Sequence, residues 1–352
     1  MNNINEILQL SIKHSASDIH LTVGLPPIFR INKELVYVGT EPLTPEDISE
    51  MMYSIMTDKQ KEIFKEKFEF DFSYGLKGLA RFRVNIFMQR GSVAAAFRRI
   101  PFDVPPLDSL GVPQIAHSII EQERGFVLVT GPTGHGKSTT LASMIDEINS
   151  KFSKHIVTIE DPIEYLFRHK KSVVVQRELG TDTLSFPSAL RAVLREDPDV
   201  ILVGEMRDLD TISTALTAAE TGHLVFATLH TNSAAQSIDR IVDVFPPYQQ
   251  EQVKMQLSSV LLAILSQQLI QNKDKNGLVL STEVLLATPA VRNLIREGKT
   301  HMIPSIIQTS STIGMQTMEQ SLKDLILRGM ITYDDGLRYA FNRDNFIHLM
   351  ER

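Results

Sequence analysis

The sequence predicts an α/β protein of more than one domain, in which a mostly parallel sheet covered by helices on both faces follows a smaller α+β module. Three observations lead there. From residue 126 onward, apolar strand-like runs alternate with helical stretches. A phosphate-loop pattern stands where the first of those strands would pass into a helix. A turn-rich stretch at 101–113 separates this half from a first hundred residues with a different pattern. The length of 352 residues exceeds the usual single core and fits about two domains.

In residues 1–100, Ile4, Ile7, Leu8 and Ile12 recur at helical spacing, and 18–23 and 28–31 read as extended. Thr44-Pro-Glu-Asp47 opens a second helix, with threonine as N-cap, proline in the first turn and an acid three residues on. The charged segment 58–67 reads as a solvated helix with Ile63 and Phe64 turned inward. Strand-like runs follow at 68–74, 79–88 and 92–99, the first two joined by Gly75-Leu-Lys-Gly78. Residues 101–113, with four prolines and Gly111, form the expected interdomain linker. The second domain, 114–352, carries expected strands at 126–130, 155–159, 172–176, 200–203 and 224–229. From Pro246 onward the periodicity is mainly helical, through 253–265, 289–296 and 318–327, with C-terminal helices over about 289–352.

Gly131-Pro132-Thr133-Gly134-His135-Gly136-Lys137-Ser138 matches G-x-x-x-x-G-K-[ST] directly after the run Phe126-Val-Leu-Val-Thr130. Its glycines let backbone N–H groups face phosphate oxygens, Lys137 can reach the β and γ phosphates, and Ser138 can offer its hydroxyl to Mg²⁺. The helix expected from Thr139 onward turns its positive end to the same phosphates. His135 occupies a free position and is expected to contribute only its backbone. Sheets of this kind bind ligands at the carboxyl ends of their strands. Asp199-Val-Ile-Leu-Val-Gly-Glu205 is such a strand ending in an acid, and it resembles a Walker B element with Gly204 where a metal-binding carboxylate is usual. Glu160, Asp161 and Glu164 gather after another strand, and one of them could polarise the attacking water. His223 and His230 flank the run Leu224–Leu229, either as γ-phosphate sensors or as histidines satisfied by backbone. Arg81 and Arg83 share a strand face, and with Arg98 and Arg99 they are candidates for arginines supplied across a subunit interface.

Composition narrows the classes. With Cys 0 there is no disulfide and no cysteine-ligated zinc, and the ten histidines show no H-E-x-x-H spacing. No run reaches the ~18 apolar residues of a membrane span, and the start lacks the basic and apolar regions of a signal peptide, so no membrane insertion and a cytoplasmic place are expected. A net charge of -6 and the lack of tryptophan argue against a broad nucleic-acid face with stacking residues, so no nucleic-acid partner is expected.

Five segments together carry a specific resemblance: 16–21 (Ala-Ser-Asp-Ile-His-Leu), Gly131–Thr140, Ile159–Glu164, Val203–Asp208 and Thr221–Thr231. The chain resembles, nearly end to end, the PilT family, the type IV pilus retraction ATPases of the secretion-ATPase superfamily. These segments correspond to that family's N-terminal motif, Walker A, Asp box, Walker B and His box. Ala290-Val-Arg292-Asn293-Leu294-Ile295 resembles its retraction signature, with Val291 a mild departure, and His135 stands where the family commonly has serine. The resemblance implies a PAS-like N-terminal domain, a RecA-like P-loop ATPase core and a homohexamer trapping ATP. It also implies a twitching-motility role through a PilC-like inner-membrane platform protein at the pilus base, with a PilU-like paralogue as a further partner. On it, Gly131 to Thr139 bind nucleotide, Ser138 and Glu205 hold Mg²⁺, Glu164 is the first choice of general base, His223 and His230 report nucleotide state, and the four arginines act as fingers. The rivals are an accessory PilU-like ATPase, from which Arg292–Ile295 tilts the reading away, and an assembly or type II secretion ATPase, whose tetracysteine zinc insert a cysteine-free chain lacks.

Overall fold

The computed structural model describes residues 3–31, 34–76, 79–101 and 103–351. Lys77 and Gly78 of the expected turn and Phe102 of the expected linker lie outside the described residues. The chain divides into two compact units, 1–103 with 162–166, and 104–161 with 167–352.

The first unit contains α1 (Ile4–Lys13), β1 (Asp18–Leu21), β2 (Ile28–Ile31), β3 (Glu34–Tyr37), α2 (Pro45–Ser54), α3 (Asp58–Lys67), β4 (Glu69–Leu76), β5 (Ala80–Gln89) and β6 (Ser92–Ile100). α2 starts where the sequence places a cap, and α3 starts with a second capping box. Thr44 and Asp47 exchange side-chain and backbone bonds at α2, and Thr57 and Gln60 do the same at α3. α3 is closed by Phe68 as its C-cap, held at φ 62°, so β4 begins one residue later than the pattern suggested. The strands form one antiparallel sheet in the order β3-β2-β1-β6-β5-β4. Ile7, Leu8, Ile48, Met52, Phe64, Phe82, Val84 and Phe97 fill its core. β3 was not expected: all four of its residues are exposed, so no inward–outward alternation marks it.

The second unit begins with a short turn of 3₁₀ helix (Leu107–Leu110) and α4 (Ile115–Ile120). It continues through β7 (Gly125–Thr130), α5 (Lys137–Lys151), β8 (His155–Glu160), β9 (Val173–Glu178), α6 (Phe186–Val193), β10 (Val200–Val203), α7 (Leu209–Glu220), β11 (Leu224–Leu229) and α8 (Ala234–Asp243). It ends with α9 (Pro247–Val260), β12 (Leu261–Gln271), β13 (Leu278–Leu286), α10 (Pro289–Arg296), α11 (Ile303–Thr309), α12 (Met318–Leu327), α13 (Tyr333–Tyr339) and α14 (Arg343–Met350). Seven strands lie in the order β13-β12-β7-β11-β10-β8-β9, parallel except for β13, which is the α/β class expected.

Strict alternation along the strands builds the two cores of this unit. Phe126, Leu128, Val157, Ile201, Val225 and Ala227 turn to the face covered by α6 to α11. Val127, Val129, Ile156, Leu202 and Phe226 turn to the face covered by α4 and α5. The helical reading of 253–265 is corrected here: the helix stops at Val260 and the apolar run that follows is β12, paired parallel to β7. Val260-Leu-Leu-Ala-Ile-Leu265 is apolar at every position because both faces of β12 are covered, and a buried strand of that kind has no period to separate it from a buried helix. The expected linker also divides. Ser143 Oγ donates to Pro105 O (2.7 Å), and both ring nitrogens of His117 meet carboxylates, Glu147 of α5 at 2.7 Å and Asp108 at 2.9 Å, so residues 105–108 are strapped to the second unit.

Candidate functional site

The phosphate loop runs from the end of β7 to the start of α5. Gly131 has φ 143°, and a Cβ there would collide with the carbonyl oxygen of Gln267 on β12, so glycine is required both by the backbone angle and by the closeness of the neighbouring strand. Lys137 is buried, and its Nζ donates to the carbonyls of Gly131 (2.8 Å) and Pro132 (2.9 Å), arching the side chain over the loop. Ser138 and Thr139 occupy the first turn of α5, half-buried beside the loop. His135 does more than the sequence suggested. Its carbonyl accepts from Gln267 Nε2 (2.7 Å) and its ring Nδ1 accepts from the Leu269 N–H (3.0 Å). Burial, and then the charge of Lys137, hold its pKa below the ordinary imidazole value.

Glu205 stands just past β10 and His230 just past β11, at the same end of the sheet as the loop. His230 Nε2 lies 3.1 Å from Glu205 Oε1, and its Nδ1 lies 3.3 Å from the hydroxyl of Thr133. A side-chain chain thus runs from the β10 terminus through the β11 terminus to the phosphate loop. Arg207, which the sequence did not single out, grips Glu205 with its Nε on Oε1 and its Nη2 on Oε2 at 2.7 Å. Burial raises the Glu205 pKa, but the Arg207 hydrogen bond and the nearby His230 outweigh it and hold the carboxyl below its ordinary value. Gly204 has a spatial reason: an added Cβ would stand 3.1 Å from Ile159 O and 3.2 Å from Glu160 Cα, while Thr228 Oγ1 donates to Gly204 O at 2.5 Å. A larger residue at this point would require the backbone of β8 to give by a few tenths of an ångström.

The remaining expected residues are distributed more widely. Glu160 is buried, its Oε1 accepting from Thr158 (2.6 Å) and Gln176 (3.2 Å), while Asp161 is exposed. Glu164 is exposed and rides on 162–166, the segment that groups with the first unit, where Leu166 N–H donates to Pro101 O (3.3 Å). Within that unit, Arg81, Arg83 and Arg98 share the outer face of the sheet, with Arg83 opposite Arg98, whereas Arg99 stands on the core face opposite Phe82. Arg98 Nε donates to Asp18 (2.8 Å) and Arg83 lies 3.7 Å from Asp71.

His223 is not brought to the phosphates of its own sheet. It sits at the amino end of β11, where its Nδ1 meets Ala218 O (2.8 Å) and the Thr221 hydroxyl (3.2 Å), the backbone-satisfied arrangement, and braces the α7–β11 turn. Arg292 likewise turns inward. Its guanidinium donates to the carbonyls of Ser258, Ser259 (2.7 Å) and Leu261 (2.8 Å), closing the open end of α9, and to Ala287 O (2.9 Å) just before its own helix. Asn293 donates to Glu297 (2.8 Å), and Leu294 and Ile295 pack into the core.

A glycine loop between a buried parallel strand and a helix, a lysine over that loop, and a carboxylate and a histidine at the ends of the two adjacent strands define a P-loop ATPase domain. The sequence places it more closely: residues 1–292 match the model of the family described as Type II/IV secretion system protein, and the chain belongs to that family. It is 49% identical over 344 residues (98% of this chain, 100% of the relative) to the Type IV pilus retractation ATPase PilT of Pseudomonas aeruginosa. It is 52% identical over 319 residues (91% of this chain, 85% of the relative) to the twitching motility protein of Neisseria gonorrhoeae. Among solved structures it is similar to the pilus retraction motor PilT with bound ADP, with a TM-score of 0.91, 51% identity and coverage of 98% of this chain and 99% of that one.

Proposed function

We propose that this chain is the subunit of a hexameric ATP-hydrolysing motor that powers retraction of type IV pili and so supports twitching motility. One observation carries the reading: phosphate loop, His230 and Glu205 are joined in a single chain of side-chain contacts, within a polypeptide whose likeness to a retraction ATPase runs end to end.

In this reading the loop Gly131 to Gly136 and the start of α5 bind the phosphates, with Lys137 on the β and γ groups. Among the described residues no group of three or more His, Cys, Asp or Glu could cage a metal by itself. The donors at hand, the Ser138 hydroxyl and Glu205 through water, fit magnesium, which keeps several waters and takes its other ligands from phosphate. Once bound, that ion neutralises charge on the phosphate oxygens. Glu164 orients and deprotonates the attacking water, His230 transmits the state of the γ-phosphate between the loop and Glu205, and Arg81, Arg83, Arg98 and Arg99 are the cationic candidates for an adjoining subunit's site. Nucleotide-driven motion between the two units would pivot within 100–113, outside residues 105–108, which are strapped to α4 and α5. Turnover around the ring would then drive a platform protein of the inner membrane and withdraw pilin at the pilus base, with the motor on the cytoplasmic side.

The test is ATP binding and hydrolysis by the purified full chain, with its mass in solution. A hexamer with Mg²⁺-dependent turnover is expected, and Glu164→Gln should retain ATP while hydrolysing at least ~100-fold more slowly. A chain that stays monomeric with ATP and shows no turnover overturns the proposal, and wild-type turnover in Glu164→Gln overturns the assignment of the base.

A further inference from the structure

β12 does something beyond completing the sheet. Its residues Leu265 and Ser266 lie in register with Val129 and Thr130 of β7, and Thr130 Oγ1 donates to Ser266 Oγ at 2.9 Å, so the strand continues alongside the phosphate loop where β7 ends. Three points of β12 then touch the loop. The Gln267 carbonyl presses on Gly131, the Gln267 side-chain amide donates to His135 O at 2.7 Å, and the Leu269 N–H donates to His135 Nδ1 at 3.0 Å. Gln267 is 1% exposed, and its Oε1 has no hydrogen-bond partner among the described residues. A buried amide that leaves one end unmatched in order to hold a loop carbonyl with the other is held by the loop, since its local surroundings alone do not satisfy it. The contact from Leu269 fixes the tautomer as well: Nδ1 accepts, so the ring is neutral and carries its proton on Nε2.

We propose that His135 and Gln267 form a clasp between the phosphate loop and β12, which makes both of them positioning residues for nucleotide binding. The proposal rests on the loop being the ATP site. The backbone N–H groups of a phosphate loop bind only when they converge, and their direction is set by the peptide planes on each side of residue 135. Gripping that residue at both its carbonyl and its ring sets two of those planes in advance, so ordering of the loop is not left to the ligand. Neither bond is directed at a reacting atom. Their loss therefore weakens affinity more than it slows the chemical step. Protonating the ring would set Nδ1–H against the Leu269 N–H and open one jaw. Among the described residues the only charged group acting on the ring is Lys137 of α5, and Gln267 and Leu269, which face it from β12, carry no charge.

The experiment measures Kd for ADP by calorimetry, and KM and kcat for ATP, on the full chain carrying His135→Leu, His135→Asn, Gln267→Leu and the double change His135→Leu/Gln267→Leu. His135→Leu should raise Kd and KM about tenfold, the scale of one hydrogen bond, with a smaller change in kcat. His135→Asn, whose amide oxygen can stand in for Nδ1, should recover most of that loss. The double change should weaken binding by less than the product of the two single effects, because both act on one clasp. As pH falls toward 5, wild-type Kd should rise more steeply than that of His135→Asn. The clasp is overturned if leucine and asparagine at 135 behave alike, if the losses lie in kcat with Kd unchanged, if the two sites act independently, or if the pH profiles run parallel. Should the leucine variants not fold, the pH profiles of wild type and His135→Asn decide on their own. A wild-type chain that binds no ADP overturns the nucleotide-site reading itself, whereas normal wild-type binding with indifferent variants removes only the clasp.

Discussion

Glu283→Gln is the perturbation whose consequence can be worked out most fully. Glu283 lies on β13, 5% exposed, and its Oε1 accepts the Ala234 N–H at the start of α8 (2.7 Å). Burial pushes its carboxyl from the ordinary 4.5 up to about 7, the Ala234 bond pulls the other way, and the neighbouring Glu319 adds to the rise. The fold therefore favours the protonated acid. Its contribution is fully present below about 4.5 and is lost as pH rises through about 7. At ~1.4 kcal/mol for each tenfold step, the ionised group destabilises the fold by roughly 3 kcal/mol at alkaline pH, most of it appearing between about pH 5 and 8. Glutamine keeps an oxygen for Ala234 and carries no charge. Thermal unfolding followed by circular dichroism at several pH values should show Glu283→Gln gaining on wild type by about 5–10 °C between pH 5 and pH 8, at ~2–4 °C per kcal/mol for a unit of this size. Parallel melting curves across that range would show that Glu283 is not a buried acid of this kind.

Three other substitutions test separate parts of the structure. Gly131→Ala places a methyl group against Gln267 O at φ 143°, so the loop must shift, and ADP affinity should fall by at least about tenfold, as calorimetry would show. Arg292→Lys removes a planar fork that serves four carbonyls, three of them at the end of α9, and should lower stability by about 1.5–3 kcal/mol in urea unfolding while leaving ADP affinity nearly unchanged. Glu205→Gln should keep ADP binding within a few-fold but cut steady-state turnover by about a hundredfold, because the neutral side chain no longer orients water or metal.

What was legible in the sequence follows from how local the cause is. β7, β10 and β11 are short β-branched runs covered on both faces, and the phosphate loop is set by glycines within eight residues, so both read directly. The cap at Thr44 is also local, and it holds, whereas the equally local box of Thr57 and Gln60 was not singled out. β12 was hidden because a fully buried apolar run has no period, and with it went the clasp, since Gln267 meets His135 across 132 residues of sequence. Gly204 read as a missing carboxylate, but a close approach of β8 and β10 that no single segment reveals makes any side chain there tight. His223 and His230 are alike in sequence, flanking one strand, yet the parallel register sends only the second to the phosphate end. Arg207 could have been noticed two residues beyond Glu205; its pairing depends on the bend of the chain after β10.

The central claim is that ATP turnover at this loop drives pilus retraction, and the most direct measurement replaces the chromosomal copy with Lys137→Ala in the organism that makes this chain, then scores surface pili and surface motility together. The expected cells keep or accumulate pili and do not move across a surface. Cells that lose their pili would assign the motor to assembly, and cells that retract and move normally would contradict the claim outright.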